Sequence, residues 1–227
     1  MNKRVGMLKD KMSMPMNKLL CTRVAMEELL TRLGSEFDAA EGWIRIVDAD
    51  WYADDLRLNL SISMHEESQP ELWEISCAGV VEEFITSVGV ETLSVSEESP
   101  ILMPYREIEV DLMFSENHCD PAYLLGTLLS NCLGIFGRAE YLQRFLNQSP
   151  VVDGIVASKY GTLGRFPRPL ADKILQALKE QPIRINPLEV SVPKRWTGTE
   201  FIEYPPLTAL EVGSSYVIGE SFSAERA

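Results

Sequence analysis

Between Ser35 and Asp120 the chain contains no lysine. That stretch holds 21 Asp and Glu and only three arginines, Arg45, Arg57 and Arg106, for a net charge of −18. The first 34 residues are net +4 and Pro121–Ala227 net +1, so nearly all of the chain's −13 arises in one region. Binding to nucleic acid needs a basic patch or stripe, and the Lys and Arg of the C-terminal half are scattered, so nucleic acid is not an expected partner.

Other absences narrow the reading further. No apolar run approaches the roughly 20 residues of a membrane span. The opening MNKRVGMLKDKMSMPMNKLL is basic but lacks the apolar run of about 7–15 residues that marks a signal peptide. A cytoplasmic protein without a membrane partner is expected. The four cysteines, Cys21, Cys77, Cys119 and Cys132, show no C-x-x-C spacing and read as reduced thiols. G-x-S-x-G, H-E-x-x-H, zinc-ribbon, Walker and G-x-G-x-x-G patterns are missing, as are internal repeats and low-complexity tracts, and no cofactor is expected.

What is present is an ordinary globular composition, 45% hydrophobic and 24% charged. The Met-rich start reads as a flexible N-terminal extension over residues 1–21, with a Met-rich docking arm as the alternative. Val24, Leu29, Leu30 and Leu33 give a helix over 22–33, with Gly34 as its stop. Trp43–Val47 and Leu56–Met64 read as a hairpin about an Asp54–Asp55 turn, since Leu56, Leu58, Leu60, Ile62 and Met64 alternate with Arg57, Asn59, Ser61 and Ser63. Further strands are expected at Trp73–Cys77, Leu93–Val95 and Glu107–Phe114, while Val80–Val88 suits either a short helix or a strand. Asp120-Pro121 marks a helix start, with Asp as cap and Pro at the first helical position. A second short helix is expected over Ala139–Leu146.

Gln148-Ser149-Pro150 reads as a break. Beyond it come a strand near Ile155–Tyr160, a Gly161–Gly164 loop, a helix from Pro169 to Glu180, and a strand about Ile183 and Ile185. Short strands follow at Thr208–Val212 and Tyr216–Gly219. The fold class is therefore α+β: an antiparallel sheet of about five strands packed on helices, with a smaller C-terminal β-α-β-like segment wrapping back. The division is an α+β core over 22–148 and a C-terminal segment over 149–227, the two forming either separate parts or one continuous domain.

Several clusters carry candidate chemistry. His65 and His118 are the chain's two histidines, and each follows a strand, so the pair with neighbouring carboxylates or Cys119 forms a candidate metal site. The competing reading is polar turns and a helix cap, and no metal is expected. Cys119, beside His118 and near a helix start, is a candidate reactive thiol if the helix lowers its pKa. Asp48, Asp50, Asp54 and Asp55 crowd the first hairpin but lack the glycine and terminal Glu of a calcium loop. Lys159-Tyr-Gly-Thr-Leu-Gly-Arg165 has the composition of an anion cradle or of a tight turn.

Glu107, Glu109 and Asp111 recur on one strand face about 7 Å apart. Like charges on a sheet face cost stability, and no lysine offsets them locally. The function expected from this pattern is non-enzymatic: a carboxylate-rich sheet docking a basic partner protein, in the manner of an inhibitor or immunity protein. The contacts are Glu107, Glu109, Asp111, Glu97, Glu98, Asp54 and Asp55. The alternative is an enzyme or small-ligand-binding protein with a site near His118, Cys119, His65 and Arg165. Self-association through the aromatic C-terminal segment is a third reading.

Overall fold

The computed structural model describes residues 16–52, 55–66, 68–86, 88–139, 141–147 and 158–227, with side chains from residue 26 onward. The expected N-terminal extension is therefore largely outside the described residues, as are Asp54 and the expected break at 148–150. In chain order the elements are α1 (Met16–Glu36), β1 (Trp43–Tyr52), β2 (Asp55–Ser63), β3 (Glu71–Ala78), β4 (Glu82–Phe84), β5 (Leu93–Ser96), a 3-10 turn (Pro100–Leu102), α2 (Met103–Arg106), β6 (Glu109–Ser115), α3 (Pro121–Phe136), α4 (Leu142–Phe145), β7 (Gly161–Pro167), α5 (Arg168–Leu178), β8 (Arg184–Glu189), β9 (Lys194–Trp196), β10 (Phe201–Glu203), β11 (Thr208–Val212), β12 (Ser215–Gly219) and β13 (Ser221–Arg226). The class is mixed α+β with mostly antiparallel sheets. Contacts divide the chain into two compact units, one comprising the residues up to Val95 with Leu210–Ala227, the other Ser96–Ala209.

The first unit is built on a four-stranded sheet in the order β1-β2-β3-β13. Its alternation is the one read from the sequence. Leu56, Leu58, Leu60 and Ile62 are each at most 1% exposed, and each contributes about 2 kcal/mol by leaving water. They join Ile44, Ile46, Trp73, Ile75, Cys77 and Ala224 in one core with Met26 and Leu29 of α1 and Leu210, Val212 and Val217 of β11 and β12. Gly34 does not stop α1, which runs on to Glu36. Arg32 ties α1 to the sheet: its Nη1 and Nη2 donate to the two carboxylate oxygens of Glu71 at 2.8 and 3.0 Å. Glu71 also accepts from Trp73 Nε1 at 3.2 Å and pairs with Arg226 at 3.2 Å.

The single five-stranded meander expected from the sequence is not formed. Sequential pairing ends at β3, whose free edge is taken by β13 from the far end of the chain (Ala224 opposite Ile75). The strand about Leu93–Val95, β5, belongs to a second sheet ordered β4-β12-β11-β5, and β6 belongs to a third, ordered β7-β6-β8. Val80–Val88 yields the short strand β4.

In the second unit β6 is antiparallel to both β7 and β8, so the strands joined by α5 run parallel with β6 between them. Val110, Leu112 and Phe114 of β6 are buried, as are Leu163 and Phe166 of β7, Leu124 and Leu128 of α3 and Ile174 of α5. Asp120 caps α3, its Oδ1 accepting from the Tyr123 N–H at 3.0 Å, with Pro121 following; Gly137 (φ 68°) closes the helix through N–H to Leu133 O at 2.9 Å. The expected second helix shrinks to Leu142–Phe145. Gly161–Gly164, expected as a loop, is strand. Gly164 is there because the chain at Phe145 crosses it: a Cβ would lie 2.0 Å from the Phe145 carbonyl oxygen. Arg106, from α2, donates to the carbonyls of Glu97 and Leu207, near the two points where the chain enters and leaves this unit.

Candidate functional site

The acidic charge follows the units. The first unit, Met1–Val95 with Leu210–Ala227, holds 20 acidic and 10 basic residues, net −10, against net −3 for Ser96–Ala209; six of its ten basic residues precede Met26, and from there on the unit is net −15. Part of that charge is laid out on the outer face of the β1-β2-β3-β13 sheet. Register shifts by one residue between Ile46 and Asp48, so Ile46, Ala49 and Trp51 keep to the core side and Asp48, Asp50 and Tyr52 to the outer side. Without that bulge the two aspartates would point into the core.

Across the sheet Asp48 stands opposite Asn59, Asn59 opposite Glu74, and Glu74 opposite Glu225. Three carboxylates thus lie in one row across four strands spaced about 4.8 Å apart. The next row is Asp50, Arg57, Ser76 and Ser223. Arg57 reaches Glu74 at 3.9 Å and lies 4.9 Å over the Tyr52 ring, so one cation serves both rows. Glu74 and Glu225 directly opposed are a like-charge pair, which costs a sheet stability. The remaining outer positions hold the buried Ser61 and Ser63 and the exposed Ser221 together with Trp43, Arg45, Tyr52, Asp55 and the exposed Leu72, so a second arginine and aromatic side chains share the face with the acidic row.

The contacts named from sequence fare unequally. Glu109 and Asp111 do share a face of β6, but the face is not uncompensated. Arg165 of β7 lies opposite Asp111 and grips it with two hydrogen bonds of 2.8 and 3.1 Å, while its Nη1 stands 3.8 Å from Glu109. The neighbouring row holds exposed Met113, and Leu188 of β8 flanks Asp111. Burial, followed by the Asp111 charge, pushes the Glu109 carboxyl above its ordinary value, and Arg165 offsets part of that rise. The cation that local sequence lacked therefore arrives 54 residues later through strand pairing. Glu107 lies before β6, at the end of α2, and its N–H bonds to Met103 O rather than into the strand ladder. Glu97 and Glu98 are exposed in the loop after β5. Asp55 is exposed at the start of β2, in the other unit, and Asp54 lies outside the described residues.

His65 and His118 are both exposed and fall in different units. Among the described residues no three His, Cys, Asp or Glu side chains gather as a metal site. Cys119 sits just before α3 with its N–H bonded to Asn117 Oδ1 at 3.1 Å, yet burial pushes its thiol up, opposite to the lowering that a reactive thiol requires. Burial likewise pushes Cys77 up to about 12. The Lys159–Arg165 segment is not a cradle, because from Gly161 it is β7. An open cavity of about 230 Å³ is lined by Gly42, Trp43, Arg45, Gly89, Val90 and Glu91, below the roughly 300–1,000 Å³ of small-molecule sites.

Sequence reasoning noticed Asp48 and Asp50 as a dense turn but did not place them with Glu74 and Glu225. The alternation of Glu74 with Ile75 was visible. The strand carrying Glu225 was not, since Ser221–Arg226 offers only Phe222 and Ala224 as apolar markers. Comparison of the chain with known proteins finds no matching family model, no matching curated protein and no matching solved structure.

Proposed function

We propose that this chain is a binding protein, without catalytic activity of its own, that docks a basic partner protein through the outer face of the β1-β2-β3-β13 sheet. The observation that carries the reading is the row Asp48, Glu74 and Glu225, with Asp50 beside it and Arg57 as the near cation. A sheet face maintained only for solubility mixes its charges. This one tolerates opposed carboxylates, whose repulsion a cationic partner relieves. Ser76 and Ser223, in the row beside Glu74 and Glu225, support the same reading, because their short side chains leave those carboxylates accessible to a partner. An inhibitor or immunity-type protein acting on a cationic target is the functional class with this physics, by analogy of class alone.

The reading shifts the docking surface away from Glu109 and Asp111, which Arg165 already occupies, and toward the first unit. Affinity capture from the source lysate, eluted along a salt gradient and identified by mass spectrometry, tests it. A basic protein released at moderate salt from the wild type, and absent from captures with Asp48→Lys/Glu225→Lys, is the expected result. Equal capture by both proteins, or release that ignores salt, contradicts the reading.

A further inference from the structure

We propose that the partner engages this face by adding an extended strand to the open edge of β1, with Lys or Arg at alternate positions; the inference rests on the docking reading above and specifies its geometry. β1 is the edge of the four-stranded sheet, whereas at the opposite edge β13 is packed by α1. Among the described residues the backbone pairing on this edge is at the start of β1, where Ile44 and Val90 exchange hydrogen bonds of 2.7 and 2.8 Å. Antiparallel alternation then directs the N–H and C=O groups of Ile46, Ala49 and Trp51 outward, away from β2. Among the described residues none of these three has a backbone partner beyond the β1–β2 pairing; the Ala49 N–H donates to its neighbour Asp48 Oδ1 at 3.0 Å, an exposed bond that an incoming strand replaces with a ladder bond.

Side chains along the same five residues, Asp48–Tyr52, fit one class of occupant. Asp48 and Asp50 flank the edge on the outer face, with Tyr52 (68% exposed) at its end. Trp51, 52% exposed, stands on the opposite side over the buried Leu56. A strand laid here meets carboxylates on one face and an aromatic ring on the other, so its complement alternates basic and apolar residues. A second copy of this chain does not fit, because pairing β1 with itself sets aspartates against aspartates. Open edges are ordinarily blunted by Lys, by Pro or by a bulge. The edge strand β8 of the second unit carries Pro187; the bulge in β1 falls before Asp48 and leaves the stretch after it regular. Main-chain pairing supplies affinity in this mode and the alternate side chains supply selectivity.

The test uses the full-length protein and a synthetic peptide of alternating Lys and Val, about eight residues long, the length of an ordinary strand. A second peptide has the same side chains with alternate backbone nitrogens methylated, which removes ladder donors and keeps the charge. Binding is followed by Trp fluorescence and by amide hydrogen exchange at Ile46, Ala49 and Trp51. The expected result is binding of the first peptide with slowed exchange at those amides, binding of the methylated peptide weaker by about tenfold or more, and a several-fold loss in Asp48→Asn/Asp50→Asn. Equal binding of the two peptides without protection of β1 overturns strand addition and leaves the electrostatic docking reading standing. Binding of neither peptide also overturns strand addition, and the lysate capture then decides the docking reading separately.

Discussion

Glu71→Gln tests how the sheet that carries the acidic row is held to α1. The substitution keeps shape and removes one charge. Arg32, whose side chain is 23% exposed, loses a two-point carboxylate partner at 2.8 and 3.0 Å, and Arg226 loses its contact at 3.2 Å. A hydrogen bond to a charged group is worth about 1.5–3 kcal/mol when sheltered. Partial exposure of the arginine and the retained amide oxygen lower this, so about 2 kcal/mol is expected, a drop of about 6 °C in midpoint for a chain of this size. The effect depends on pH with a defined sign. Hydrogen bonding from Arg32, opposed by burial and aided by Trp73, holds the Glu71 carboxyl below its ordinary 4.5. Its folded value lies below its unfolded value, so its stabilisation is complete above 4.5 and is lost as pH falls through the folded value. Thermal unfolding followed by circular dichroism should therefore show the full gap between wild type and variant at neutral pH and a closing gap in acid. A neutral-pH gap under about 0.5 kcal/mol, or one that persists undiminished in strong acid, would refute the anchoring role given to this carboxylate.

Other expected outcomes rest on different contacts. Gly164→Ala places a methyl 2.0 Å from the Phe145 carbonyl oxygen, so β7 and the Phe145–Leu146 backbone must separate, at a cost of about 3 kcal/mol read by urea denaturation. Cys77, fully buried with its thiol pushed up to about 12, should resist iodoacetamide at neutral pH until the protein is unfolded, and Cys119 should react more slowly than a free thiol, both read by mass spectrometry. Arg165→Gln should leave Glu109 further above its ordinary carboxylate value, since Arg165 is the cation holding it down, and carboxyl chemical shifts followed by NMR through acid pH report that change.

What the sequence conveyed well was local. Leu56–Met64 and Ile108–Phe114 alternate cleanly because one face of each strand is buried, and Asp120-Pro121 announces α3 through two independent end signals. Thr208–Val212 and Tyr216–Gly219 are strands where short apolar runs placed them. Pairing was not legible. A strand's composition is satisfied by any neighbour with a matching apolar face, so nothing in Glu71–Ala78 foretold that its second neighbour would be Ser221–Arg226. The same blindness shaped the site. Counting charges along the chain made Glu109 and Asp111 look unopposed, whereas strand pairing brings Arg165 to them. It also hid the row Asp48, Glu74 and Glu225, whose members are spread across three strands. Gly161 and Gly164 read as a loop because glycine is common in turns; at Gly164 the residue instead makes room for a crossing backbone.

The most direct measurement is the association rate of the captured basic protein with wild type and with Asp48→Lys/Glu225→Lys, across ionic strength. If the outer face of the β1-β2-β3-β13 sheet is the docking surface, the variant's rate at low salt falls by about tenfold or more and the two rates converge as salt screens the face. Superimposable rates at every ionic strength, with both proteins folded, would contradict the account.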